Sequence, residues 1–197
     1  MLSLIVLAAG KSVRMRGRNK LLIRVQGKPM IRKVVENALK SKVDEVIVVL
    51  GWEADKLREA LLDLPCRLVL NKSYEAGQSS SVKVGLSEVG KATQAILILP
   101  ADVALIDSRS INLVLDAYNL SGNLIVVASH AGKQGHPILF SNQLFAEIEE
   151  INEGTFGLKS VVQRHRSEVR LVEVGSENVL YDFDTPKDLK RLDACST

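Results

Sequence analysis

The stretch Leu2-Ser3-Leu4-Ile5-Val6-Leu7-Ala8-Ala9-Gly10-Lys11-Ser12-Val13-Arg14-Met15-Arg16-Gly17-Arg18-Asn19-Lys20 decides the fold. Leu2 to Leu7 is a short hydrophobic segment, the pattern of a strand buried on both faces in a parallel sheet. Ala8-Ala9-Gly10 then lets the backbone come close to a ligand at the strand's carboxyl end. That end is where open α/β sheets bind ligands. The basic loop that follows interrupts a strand-to-helix connection, a place where functional loops sit.

Charge is unevenly spread along the chain. Residues 1–35 carry Lys11, Arg14, Arg16, Arg18, Lys20, Arg24, Lys28, Arg32 and Lys33 and no acid, the first being Glu36. The chain as a whole has a formal net charge of only +3, so the remainder is net acidic. A polyanion is therefore expected near the first strand, either phosphates or nucleic acid. Nucleic acid fits poorly, because aromatic residues make up only 4% of the chain and none is interleaved in the basic loop.

At 197 residues, with 46% hydrophobic and 25% charged residues, the composition is that of one globular domain spanning 1–197 that needs no disulfide or structural metal. The segment from Leu2 to Ala9 is too short for a membrane span and lacks a basic flank before it, so a cytoplasmic protein without a membrane partner is expected. Cys66 and Cys195 are far apart and neither has a partner at metal-ligand spacing.

Apolar runs recur at 2–7, 45–50, 67–70, 95–99, 124–128, 137–140 and 169–174. Between them 29–41, 53–62, 80–89, 108–119, 141–151 and 157–166 read as helices. This alternation predicts an α/β protein with a mostly parallel sheet and helices on both faces. Pro29 is expected at the first position of its helix, while Asp107 or Ser108, and Ser141, are expected to cap theirs.

Several constellations could carry chemistry. Gly10-Lys11-Ser12 imitates the end of a P-loop, but the first glycine of that motif would fall on Ile5, so the match fails. No G-x-G-x-x-G follows the first strand, which removes the evidence for a dinucleotide site. What remains is a loop in which Arg14 can fork phosphate oxygens and Lys20 can place a compact charge on a phosphorus under attack. Leu97-Ile98-Leu99-Pro100-Ala101-Asp102 is a buried strand ending in a carboxylate, expected at the same sheet edge as the basic loop. Asp182-Phe183-Asp184-Thr185-Pro186 offers a second acid site. Two carboxylate sites on separate loops suit Mg²⁺, which takes one or two protein oxygens and completes its shell with water and phosphate. Gly77-Gln78-Ser79-Ser80-Ser81 precedes a helix and can meet a phosphate, base or ribose through amides and hydroxyls. Gly135-His136-Pro137 reads as a substrate loop or plain surface, since His130 and His165 lie in other segments.

Together these pieces resemble a known family. L-A-A-G-x-S-x-R-M with a lysine six residues after the arginine, N-x-x-x-x-x-G-x-S-x-S over 71–81, L-P-A-D, G-H-P-x-x-F and D-x-D-T-P-x-D are similar to the molybdenum cofactor nucleotidyltransferases, particularly the cytidylyltransferase type. The resemblance implies a three-layer α/β/α Rossmann-like nucleotidyltransferase fold. It also implies transfer of CMP from CTP to a molybdopterin-type or other phosphate-bearing acceptor, with release of pyrophosphate and Mg²⁺ as cofactor. A recipient molybdoenzyme or chaperone is the implied protein partner.

By position, it implies that Leu7, Ala8, Ala9 and Gly10 meet base and ribose and that Arg14 and Lys20 hold the triphosphate. Asp102 and Asp184 are the implied metal ligands, with Arg14, Lys20 and Asp102 as the catalytic set. Asn71, Gly77, Ser79, Ser80 and Ser81 complete the nucleotide pocket, and Gly135, His136 and Pro137 meet the acceptor. The Ala8-Ala9 pair, where guanylyl-transferring relatives tend to have Ala-Gly, points to CTP over GTP. Two departures stand out: Arg16 occupies the position of a usual glycine, and Thr155 replaces the acid of a G-D-x-G-x-[RK] motif near the acceptor. A guanylyl or sugar-phosphate nucleotidyltransferase, or a non-catalytic nucleotide or cofactor carrier, are the competing expectations.

Overall fold

The structure is a computed structural model and describes residues 1–15, 17–183 and 188. Its centre is β1 (Leu2–Ala8), in which Leu4, Val6 and Ala8 pack on one side of the sheet and Ile5 on the other. Because both faces of this strand are covered, its sequence is apolar throughout rather than alternating.

The remaining elements, in chain order, are β2 (Arg24–Val25), β3 (Lys28–Pro29), α1 (Met30–Leu39), β4 (Glu45–Leu50), α2 (Ala54–Leu61), β5 (Arg67–Leu70), α3 (Gln78–Ser87), β6 (Ala95–Pro100), α4 (Ser108–Ser121), β7 (Ile125–His130), β8 (Lys133–Ser141), α5 (Phe145–Glu149), α6 (Leu158–Arg164) and β9 (Val169–Glu173). Seven strands form one sheet in the order β5-β4-β1-β6-β8-β7-β9. All pairings are parallel except those of β8, which runs antiparallel to both β6 and β7. Helices α1, α2 and α4 bury their apolar stripes against one face; α3, α5 and α6 cover the other. This is the α/β architecture that the alternation of runs predicts.

On α1 the buried residues are Met30, Ile31, Val34, Val35 and Ala38, the stripe expected of an amphipathic packing helix. Two details of its start differ from expectation. Lys28–Pro29 pairs with Arg24–Val25 as a small hairpin, and Pro29 sits at the N-cap with extended ψ, so the helix begins at Met30. Proline's fixed φ is compatible with either position, and the short ladder decides between them. Asp107 caps α4 by accepting from Ser110 N at 2.7 Å. Ser141 accepts from Gln143 N and opens a 3₁₀ turn ahead of α5.

The chain leaves β1 for β4 and β5 on one side and returns to β6 on the other, so β1 lies at the point where the strand order reverses. Crevices at such points bind ligands at the carboxyl ends of the strands. Leu7 stands opposite Pro100, and Ala101 N donates to Leu7 O at 3.0 Å, which brings the ends of β1 and β6 side by side.

No helix among the described residues is long and apolar enough to cross a membrane.

Candidate functional site

The basic loop after β1 is built by local hydrogen bonds rather than by a single helix start. Ser12 adopts a left-handed backbone (φ 50°), and its carbonyl accepts from Met15 N at 2.8 Å, making a 3₁₀ turn over Val13–Met15. Met15 is buried and anchors that turn to the core. Ser12 Oγ accepts from Lys20 N at 3.3 Å, and the buried Asn19 caps a second turn, Lys20–Leu22, by accepting from Leu21 N at 3.1 Å. The loop therefore returns to its starting point with Arg14 and Lys20 lining one cavity of about 430 Å³.

Across that cavity lies Asp102. Lys20 Nζ donates to Asp102 Oδ2 at 2.6 Å, and both side chains are largely shielded, at 13% and 18% exposure. Such a pair is stronger than a surface ion pair because less water screens it. The other oxygen, Asp102 Oδ1, is buried and has no hydrogen-bond partner among the described residues. A buried, unsatisfied carboxylate oxygen is costly unless a ligand completes it.

Leu7, Ala8, Ala9 and Gly10 also line this cavity, as do Gly77 and Ser81 across the crevice. No atom lies within 4 Å of where a Cβ on Gly10 would stand, so its missing side chain leaves open space rather than close packing. Gly51 is the reverse case: a Cβ there would fall 2.7 Å from both the carbonyl oxygen and the Cβ of Ala9. Gly51 thus lets β4 hold the Ala8-Ala9 end of β1 in place.

Asn71 lies behind the wall, fully buried, and donates through Nδ2 to Ser81 Oγ at 3.0 Å and to Ser80 Oγ at 2.8 Å. The three serines therefore separate in role. Ser81 faces the smaller cavity, and Ser80 is held by Asn71 and by the carbonyls of Ser73 and Gly77. Ser79 lines a second, larger cavity. All three belong to the first turn of α3, which begins one residue after Gly77 rather than after the serines.

That second cavity, about 1010 Å³, adjoins the first along Gln78 and contains Gly135 and His136. Here the structure corrects the reading of Gly135-His136-Pro137 as a surface loop: these residues lie within β8. Gly135 is needed for packing, since a Cβ would fall 2.2 Å from Val179 O. Pro137 is buried and does not line the cavity. His136 is half-buried, with its Nδ1 enclosed and without a hydrogen-bond partner among the described residues. Burial pushes its imidazole below the usual histidine pKa, opposed by the nearby carboxylates Asp102 and Asp182, so it is neutral near pH 7.

Asp184, the second expected metal ligand, lies outside the described residues, as does Arg16. The last described residue before Asp184, Phe183, donates from its backbone to Asp102 O at 3.1 Å. No cluster of three or more histidines, cysteines or acids suited to a metal occurs among the described residues. A divalent ion held by Asp102 would therefore draw most of its shell from phosphate and water, as Mg²⁺ commonly does.

Among the lining residues that sequence reasoning missed are Tyr74 in the smaller cavity and Glu153 in the larger. Tyr74 lies inside the 71–81 motif at a variable position, which carries no signal of its own. Lys11, by contrast, does not line the smaller cavity. It pairs with Glu75 and sits 5.9 Å from the centre of the Tyr74 ring.

Residues 4–169 match the family model described as MobA-like NTP transferase domain. A protein named bifunctional protein GlmU from Pseudothermotoga lettingae is 31% identical over 165 residues, covering 81% of this chain and 36% of that protein. The chain spans only 25–38% of the length of the curated relatives it matches. The crystal structure of Rv0371c from Mycobacterium tuberculosis H37Rv superposes with a TM-score of 0.86 at 28% identity, covering 97% of this chain and 96% of that one. A complex of Rv0371C with manganese from the same organism gives 0.82 at 26% identity, with 97% of each chain covered.

Proposed function

Because the chain belongs to the MobA-like NTP transferase domain family, and so is a nucleotidyltransferase, we propose that it moves CMP from CTP to a molybdopterin-type cofactor bearing a terminal phosphate, releasing pyrophosphate. The observation that carries this reading is the Lys20–Asp102 contact at 2.6 Å with Asp102 Oδ1 left unsatisfied. It joins the basic loop to the acid on β6 in a single crevice between strand ends.

An acceptor phosphate is already anionic at neutral pH, so no side-chain base has to generate the nucleophile. The protein's task is to align acceptor and α-phosphate and to stabilise charge that develops on the phosphate oxygens. Lys20 supplies a compact charge at the α-phosphate, and Arg14 forks the oxygens of the departing pyrophosphate. Asp102 Oδ1 fits a hard cation, with Asp184 as its expected companion. When bound, Mg²⁺ supplies neutralisation of the phosphate oxygens. A structurally similar protein, Rv0371C, has been solved as a complex with manganese, which supports use of a divalent cation.

The Ala9 methyl supports CTP over GTP. Ala9 packs beside Gly51 at the end of β1, and the Ala8-Ala9 pair in the cavity wall, where guanylyl-transferring relatives tend to have Ala-Gly, favours CTP. The two cavities support a two-substrate transfer, the smaller taking the nucleotide and the larger the acceptor. A sugar phosphate is the second reading for that acceptor, favoured by Gln134, Gln163 and Asp182 in the larger cavity, whose polar ends suit hydroxyl groups.

Incubation with each of the four NTPs, Mg²⁺ and a panel of acceptors, followed by pyrophosphate release, tests the proposal. CTP with a molybdopterin-type acceptor is expected to give the fastest release. Tight nucleotide binding with no release for any acceptor would replace the enzyme by a carrier.

A further inference from the structure

Helix α3 starts without a cap of its own, because its N-cap is Gly77. The carboxylate of Glu153 reaches the helix from a loop 74 positions away and accepts from Ser79 N at 2.7 Å. Gly77 makes room for it: with φ at +101°, a Cβ there would fall 2.3 Å from Glu153 Cγ. On the other side Gly157, at φ +54°, would bring a Cβ to 2.9 Å from Ser79 Oγ. Two glycines of positive φ thus bring the 153–157 loop onto the first turn of α3.

The fit is incomplete in an informative way. Ser79 is 4% exposed, and its hydroxyl is buried without a hydrogen-bond partner among the described residues, although Glu153 is bound to the same residue's amide. A buried hydroxyl left unpaired costs free energy that a ligand can recover. Glu153 meets the amide but not the hydroxyl, and an anionic oxygen group at a helix start, a phosphate for example, can meet both together. The larger cavity around Ser79 also holds Lys159 and Arg166, which favour an anion and face the acids Glu153 and Asp182 in the same lining, and the unpaired Nδ1 of His136.

We propose that the amide and hydroxyl of Ser79 form the seat for an anionic oxygen group, of the phosphate class, on the acceptor, and that Glu153 occupies this seat in the empty protein. The seat rests on the proposed function only for the identity of its ligand as the acceptor; the anion site itself does not. Glu153 acts as an internal competitor: the ligand displaces a group of like charge, so apparent affinity is lowered by the fraction of protein in which Glu153 is bound. An acceptor without the anionic group has nothing to exchange for Glu153 and leaves the loop closed on α3.

The test is amide-resolved NMR titration of the full chain with inorganic phosphate, reading Ser79 for this seat and Gly10 for the nucleotide crevice. In the unmodified protein the Ser79 amide is expected to shift saturably. Glu153→Gln keeps an oxygen that can accept from Ser79 N but removes the charge, and should tighten phosphate at Ser79 about fivefold or more with little change in melting temperature. Ser79→Ala, a substitution that removes only the unpaired hydroxyl, should weaken it by a comparable factor. An unchanged affinity in Glu153→Gln, or a Ser79 amide that ignores phosphate in both forms while Gly10 responds, would overturn the seat and leave the nucleotidyltransferase reading standing. A saturable Ser79 response in a protein that transfers no nucleotide would keep the seat and defeat that reading.

Discussion

Lys20 and Asp102, 82 positions apart, meet at 2.6 Å in the crevice between β1 and β6. The contact has a structural cause on each side. Lys20 is presented by the turn that Asn19 caps, and Asp102 follows the last ladder residue of β6, whose end is aligned with β1 through Leu7 and Pro100. It also has an electrostatic consequence. The ammonium balances one carboxylate oxygen and lines the same cavity, where under the proposed function it would also balance charge on the reacting phosphate.

Lys20→Ala should therefore separate catalysis from folding. Loss of one preorganised charge at the reacting centre costs about 10²-fold or more in rate elsewhere. We expect a fall of that size in kcat with a melting temperature within a few degrees of the parent, checked by pyrophosphate release and thermal denaturation on the same preparation. A KM effect with unchanged kcat would assign Lys20 to ground-state binding instead.

Gly51→Ala tests whether the wall behind Ala9 is as closely packed as the geometry states. The new Cβ would stand 2.7 Å from Ala9 O and Cβ and 2.8 Å from Tyr74 Cβ. Overpacking of this kind costs about 1–3 kcal/mol. Denaturant melts should show that loss, and nucleotide affinity should drop with it because the end of β1 and Tyr74 both line the crevice.

The fold was legible where periodicity speaks for itself. Each of the seven apolar runs is a strand of the main sheet and each helical stretch contains a helix, because β1, β4 and β6 are buried on both faces and α1 and α4 carry one clear stripe. The direction of β8 was not legible. It leaves β7 through Ala131-Gly132, whose φ angles of 49° and 76° suit a tight hairpin turn, yet Ala-Gly is a weak signal beside Asn-Gly. Proline inside Gly135-His136-Pro137 then argues locally against a strand. At the crevice, the grouping of Arg14, Lys20 and Asp102 followed from strand-end logic. Glu153 did not, since only the packed loop brings it to Ser79.

Acid should weaken the clamp between α1 and the end of α2. Arg32 grips Asp63 with two bonds, of 2.6 and 2.7 Å. Hydrogen bonding from Arg32, with help from Asp63's own backbone amide, lowers the carboxyl from 3.8 to about 2 in the folded chain. The lowered value means that the unfolded chain takes up the proton first as pH falls. The clamp's contribution is thus complete above about pH 3.8 and disappears toward pH 2. Asp63 is solvent-exposed, so the effect is small and salt-sensitive. Melting temperatures of Asp63→Asn should decline less steeply than the parent's across this window; parallel curves would remove the clamp from the account.

The most direct measurement is single-turnover pyrophosphate release from CTP, with Mg²⁺ and a molybdopterin-type acceptor, by Asp102→Asn beside the parent protein. The substitution keeps the shape of the side chain and removes the charge that Lys20 and a divalent cation both need. The expected result is release abolished, with the melting temperature and the nucleotide-free fold retained. Release at near-parental rate from the folded variant would contradict the placing of the reacting phosphate between Lys20 and Asp102.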